Sequence, residues 1–126
     1  MNWLIIIAGV VAAFTTIGHF TIGSKQYLKP MLAASFDPEA KRVMQAVFHY
    51  VSTFLITSTL AMLAIGFGVI TDVQPSLLVR FIAVTYALFA IWQIILAASS
   101  GIPRGILKMF QWVFFVIIAV CAWLGA

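Results

Sequence analysis

Apolar residues fill four long stretches of the chain, and polar residues mark where each stretch stops. The stretches run over about Asn2–Gly23, Pro38–Val69, Pro75–Ser99 and Pro103–Leu124. Each is long enough, as a helix, to cross a hydrocarbon layer, which takes about 20 residues. Lipid offers no partner for open backbone N–H and C=O groups, so all four are predicted to be helical. The pattern therefore predicts an all-α fold, an integral membrane four-helix bundle formed as one domain over residues 1–126. The first stretch has no basic leader, and its apolar run is too long for the core of a signal peptide. It reads as a retained span.

Local chemistry agrees with these boundaries. Asp37, Pro38 and Glu39 favour a helix start: a side-chain acceptor, a preset φ, and negative charge at the positive end of the helix dipole. Pro75 opens the third stretch in the same way. Gly101 ends it, and Pro103 opens the fourth. Between the first two stretches, Leu28, Met31, Leu32 and Phe36 recur at roughly helical spacing beside Lys25 and Lys29. Two readings stay open there. One is a short helix lying in the membrane interface. The other is an ordered loop anchored by Tyr27 and Phe36.

Composition narrows the class. The chain is 64% hydrophobic and 8% charged, where a soluble domain carries about 25% charged residues. So few charges cannot cover a soluble surface. The net charge of +4 comes from seven Lys/Arg against three acids. These cations flank apolar runs rather than forming the clustered patch that nucleic acid requires. The expected partner is the lipid bilayer, not nucleic acid. Lys25, Lys29, Lys41 and Arg42 lie in or beside the first connection, and Arg104 and Lys108 in or beside the third. The second connection has one acid, Asp72, and no Lys or Arg. By the positive-inside rule, connections one and three are cytoplasmic and both ends of the chain lie outside, in a membrane of the bacterial inner type. Arg80 departs from the rule and is expected to snorkel to the outer headgroups. Cys121, the one cysteine, reads as a small packing residue.

Polar residues inside the stretches are the candidates for chemistry. Arg42, Gln45, His49, Ser52, Thr53 and Thr57 recur at three- and four-residue spacing, as side chains on one helix face do. Thr15, Thr16 and His19 continue a small-residue stripe from Ala8 and Ala12. That stripe predicts a first helix packed inside the bundle, and the Phe and Trp of the fourth predict one facing lipid. Tyr86, Gln93 and Ser100 align at seven-residue spacing, and Gln111 stands in the fourth stretch. At 1.5 Å per residue, His19 lies about 6 Å, His49 and Gln93 about 10 Å, and Gln111 about 5 Å from the cytoplasmic ends. The expectation is one cytoplasm-facing polar pocket formed by His19, His49 and Gln93, with Gln45, Thr53, Gln111 and Tyr86 as further candidates.

Two histidines could clasp a haem, but only from facing helices at one height, and no other haem signal accompanies them. Zinc needs three or four ligands, and no nucleophilic triad is present. The expectation is no metal, no cofactor and no enzyme. The leading reading is a structural or accessory membrane component, working through contacts with a membrane-protein partner or a second copy of itself. The alternative is a protein that binds or transports a quinone, a lipid or a proton-coupled substrate through the polar pocket.

Overall fold

A computed structural model describes residues 1–71 and 75–126. Asp72, the acid assigned to the second connection, lies outside the described residues. The helices are α1 (Trp3–Gly18), a π-helical segment (His19–Leu28), α2 (Lys29–Ala33), α3 (Pro38–Gly66), α4 (Pro75–Ser99), α5 (Gly105–Lys108) and α6 (Trp112–Gly125). No strand occurs among the described residues. Three helical stretches, Trp3–Ala33, Pro38–Gly66 and Pro75–Ser99, are long and apolar enough to cross a membrane. The apolar α6 has 14 residues, about 21 Å, which is short of a hydrocarbon core of about 30 Å.

Three boundaries differ from the sequence pattern. The first helix does not stop near Gly23 but continues through the π-helical segment and α2 to Ala33. The first connection is thus neither a detached interfacial helix nor an ordered loop over its whole length. Its early part extends the first helix, and the turn is confined to residues 34–37. The wide winding ends at Pro30: Lys29 N–H bonds to Ser24 C=O, five residues back, and the next residue has no N–H to give. A proline ring also pushes away the carbonyl four residues before it, which favours wide winding upstream.

The second helix ends at Gly66 rather than Val69. Gly68 adopts φ +73°, Val69 N–H returns to Ala64 C=O at 2.8 Å and Gly68 N–H to Ile65 C=O at 3.0 Å. This is the Schellman stop, in which a left-handed glycine satisfies the last carbonyls. The fourth stretch is two helices instead of one. Arg104 takes a left-handed conformation and Met109 (φ −98°, ψ 63°) interrupts the winding between α5 and α6. The indole N–H of Trp112 donates to Ile106 C=O at 3.0 Å, so a side chain caps a carbonyl that the break releases. The Asp37 start matches expectation: its carboxylate accepts Ala40 N–H at 2.8 Å, with Pro38 and Glu39 in the first turn.

Helix α1 packs between α3 and α6, and α6 packs in turn on α4. The α3–α4 side is closed by aromatic and hydroxyl contacts: Ser58 with Tyr86 at 2.9 Å, and Phe54 with the rings of Tyr86 and Phe89. The inward role of α1 agrees with its small residues, since Ala8, Gly9 and Ala12 are buried. The expected lipid-facing role of α6 needs correction, because it packs along two neighbours and buries Ile118, Ala119 and Ala122. Its small residues turn inward, and its bulky Val120, Trp123 and Leu124 remain exposed. Cys121 is half-buried against the core.

Small and hydroxylic side chains are prominent inside: Ala8, Ala12, Ser52, Ser58, Thr59, Ala83, Ala90, Ala97, Ala119 and Ala122 are buried. Large apolar side chains such as Phe14, Leu60, Phe81, Trp92 and Leu96 are exposed. At one end of the bundle, Asn2 N–H donates to Gly66 C=O at 2.8 Å and the Asn2 side-chain amide to Gly125 C=O at 2.7 Å. These bonds tie the start of α1 to the ends of α3 and α6. Arg80 sits toward this end with its guanidinium 5.7 Å from the Trp123 ring. The other six Lys/Arg belong to the opposite end of the bundle.

Candidate functional site

At that basic end the helices leave a cavity of about 480 Å³. It arises because α6 starts only at Trp112, so the space beside the π-helical segment is bordered by the α5–α6 break. The first helix contributes Phe14, Thr15, Gly18, His19, Ile22, Gly23 and Tyr27. Phe48, Val51 and Leu55 enter from α3, Gln93 from α4, and Met109, Phe110, Gln111, Phe114 and Phe115 from the break and α6. The π winding decides part of this lining. A helix closed by i→i+5 bonds holds more than four residues per turn, so positions four apart nearly align. His19, Gly23 and Tyr27 therefore face one space.

His19 is fixed by its neighbours. Its ring stacks on Phe48 with centroids 4.0 Å apart and meets Phe20 edge-on. Nε2 lies 2.8 Å from Ser52 Oγ and 3.3 Å from Phe48 C=O. Ser52 Oγ itself donates to Phe48 C=O at 3.0 Å. With that proton committed, Ser52 accepts from the ring, and the backbone carbonyl can only accept. The neutral imidazole thus carries its proton on Nε2 and keeps its lone pair on Nδ1. Both ring hydrogen bonds are at Nε2, and Gly23, which lines the cavity beside Nδ1, has no side chain to cover it.

A second polar chain crosses the cavity. Gln93 donates to Gln111 Oε1 at 3.4 Å, and Gln111 donates to the Tyr27 hydroxyl oxygen at 3.2 Å. This orders the amides and leaves the phenolic hydrogen of Tyr27 free to donate. It also links the first helix, α4 and the α5–α6 break.

The seven sequence candidates divide cleanly. His19, Gln93 and Gln111 line the cavity. His49 is exposed and meets Phe48 edge-on, away from the lining. Thr53, also exposed, donates to His49 C=O. Gln45 accepts from Arg42 at 2.8 Å. Tyr86 is fully buried in the core, where it bonds Ser58. The polar stripe on α3 fails as one face for a geometric reason. At about 100° per residue, Ser52 is about 60° around the helix from His49, and Thr53 is about 40° farther to the other side. Ser52 reaches the interior and His49 does not. Tyr27, read from the sequence as an interfacial anchor, is not among the pocket candidates, because it shares a face with His19 only if the helix continues past Gly23.

A serine 2.8 Å from a histidine resembles a nucleophile and its base. Here the serine is buried, spends its proton on Phe48 C=O, and does not line the cavity. Its work is to hold the ring. Among the described residues no three His, Cys, Asp or Glu side chains gather as a metal site would require. Apolar walls with a few oriented polar groups are what a small-molecule binding cavity needs, and about 300–1,000 Å³ is the usual size. No protein family matches the chain, and no match is found among curated proteins or solved structures.

Proposed function

We propose that this is an integral membrane protein that binds a small amphipathic molecule in the cavity beside His19. The membrane reading rests on the inverted distribution of side chains. Alanine, serine and threonine take many of the buried positions beside Ile and Leu, while large apolar side chains such as Phe14, Leu60, Phe81, Trp92 and Leu96 are exposed, an arrangement that suits acyl chains and not water. The six cations at the cavity end support a cytoplasmic position for that end under the positive-inside rule, with Asn2 and Gly125 on the outer side. The first helix, α3 and α4 cross the bilayer, while α6 inserts alongside them and is completed by the α5–α6 break.

One observation carries the binding role: an apolar cavity of about 480 Å³ with an uncovered ring nitrogen on its wall. A purely structural bundle would bond its polar groups to one another, as Thr16 and Thr59 or Ser58 and Tyr86 do. Phe14, Ile22, Tyr27 and Phe110 on the rim are exposed, so a ligand can enter from the side or the basic end. The probe is 4-nonylanisole, an apolar molecule with an aromatic ring. Its retention by protein-loaded lipid nanodiscs is compared with retention by empty ones. Gly23→Leu places a side chain in the cavity and abolishes the excess retention without changing helix content. Excess retention that survives Gly23→Leu refutes this site.

A further inference from the structure

The hydrogen bonds around His19 specify which end of a ligand the cavity can read. Ser52 holds the Nε2 proton and Phe48 C=O accepts beside it. The nitrogen presented to the cavity is therefore an acceptor. His19 is half-buried, and a ligand that covers Nδ1 without giving it a donor leaves that acceptor unpaired, which is costly. A carbonyl or ether oxygen brought to Nδ1 would set lone pair against lone pair. A hydroxyl would satisfy it. The bond to Ser52 holds Nε2 on the far side of the ring, and turning the ring over to offer its proton instead would break that bond.

We propose that the cavity selects hydroxyl-headed amphiphiles, the long-chain phenols and their reduced, dihydroxy-aromatic relatives, over the corresponding ethers and carbonyl compounds. His19 Nδ1 is the acceptor that reads the hydroxyl. Ser52 is a positioning residue that sets which ring nitrogen carries the proton. Phe48, Phe110, Phe114 and Phe115 supply the apolar walls for the ring and chain. The inference rests on the binding role proposed above and goes beyond it by naming the head group.

The test pairs 4-nonylphenol with 4-nonylanisole, which differ by the donor alone, on nanodisc-embedded protein with empty nanodiscs as reference. The expected result is about fivefold tighter retention of the phenol, the effect of one hydrogen bond. Ser52→Ala leaves Phe48 C=O alone to hold the Nε2 proton and narrows the preference for the phenol, while the anisole is still retained. A separate measurement does not depend on that variant folding. His49→Gln leaves His19 as the sole histidine, and its 15N spectrum reports the protonated nitrogen. Nε2 carries the proton in the free protein, and the Nδ1 resonance moves on addition of 4-nonylphenol. Equal retention of the two probes by the wild-type protein, or a proton on Nδ1 of the free protein, overturns the selectivity and leaves the cavity assignment standing. Retention of neither probe overturns both.

Discussion

Gly66→Ala tests a close contact between α1 and α3. A Cβ at Gly66 would stand 2.7 Å from Ile6 Cγ1, 3.0 Å from Ile6 N and 3.3 Å from Ile6 Cα. Carbon pairs prefer about 3.5–4.0 Å. The Ile6 side chain can rotate away, but its backbone cannot, so α1 must lift from α3 by several tenths of an ångström. The same displacement stretches the Asn2 N–H bond to Gly66 C=O, 2.8 Å in the native packing. Overpacking of this kind costs about 1–3 kcal/mol, and a weakened hydrogen bond adds up to about 1 kcal/mol. Alanine recovers about 0.5–1 kcal/mol of helix preference. The three contributions together give a loss of about 2 kcal/mol at their midpoints, dominated by the steric contribution. Gly18→Ala is the control, since Gly18 is helical (φ −60°, ψ −38°) and an added Cβ there meets nothing within 4 Å. It gains about 0.5–1 kcal/mol by the same helix preference. Reversible unfolding in mixed micelles, followed by circular dichroism, measures both variants. The two substitutions are the same chemically and opposite in sign. A Gly66→Ala protein as stable as Gly18→Ala would falsify the close approach of α1 and α3.

Other expectations follow from single contacts. Ser58→Ala and Tyr86→Phe, singly and together, should show a coupling energy of about 0.6–1.7 kcal/mol for their bond across α3 and α4, as measured for interhelical bonds in membranes; additive effects would show that the bond contributes nothing. Trp112→Phe removes the indole bond to Ile106 C=O and should speed tryptic cleavage after Lys108, while an unchanged rate would mean that the break is held by packing alone. His49→Gln, on the exposed face of α3, should leave retention of both nonyl probes unchanged; loss of retention would place His49 in the site. A reporter fused after Ala126 should be active only on the outer face and one inserted near Ala34 only in the cytoplasm, and the reverse pattern would turn the cavity outward.

The sequence by itself determined the apolar helices, the Asp37 start and the segregation of the cations. Each depends on residues close together in the chain: hydrophobic runs, a cap and a proline, charges beside a run. It also singled out His19, Gln93 and Gln111, because a polar residue in an apolar helix is conspicuous wherever it points. Tertiary structure decided the rest. Whether His49 or Ser52 faced inward depended on a rotation of about 60° about the α3 axis, which neighbours set and spacing does not. The wide winding from His19 to Leu28 depended on continuing a helix through Gly23, residues that read equally well as a stop. The cavity needed the late start of α6, and the uncovered Nδ1 needed Ser52 and Phe48 brought to the far side of the same ring. Local patterns record what a segment prefers. A cavity is made by where several segments fail to fill the space between them, and that is a property of their packing together.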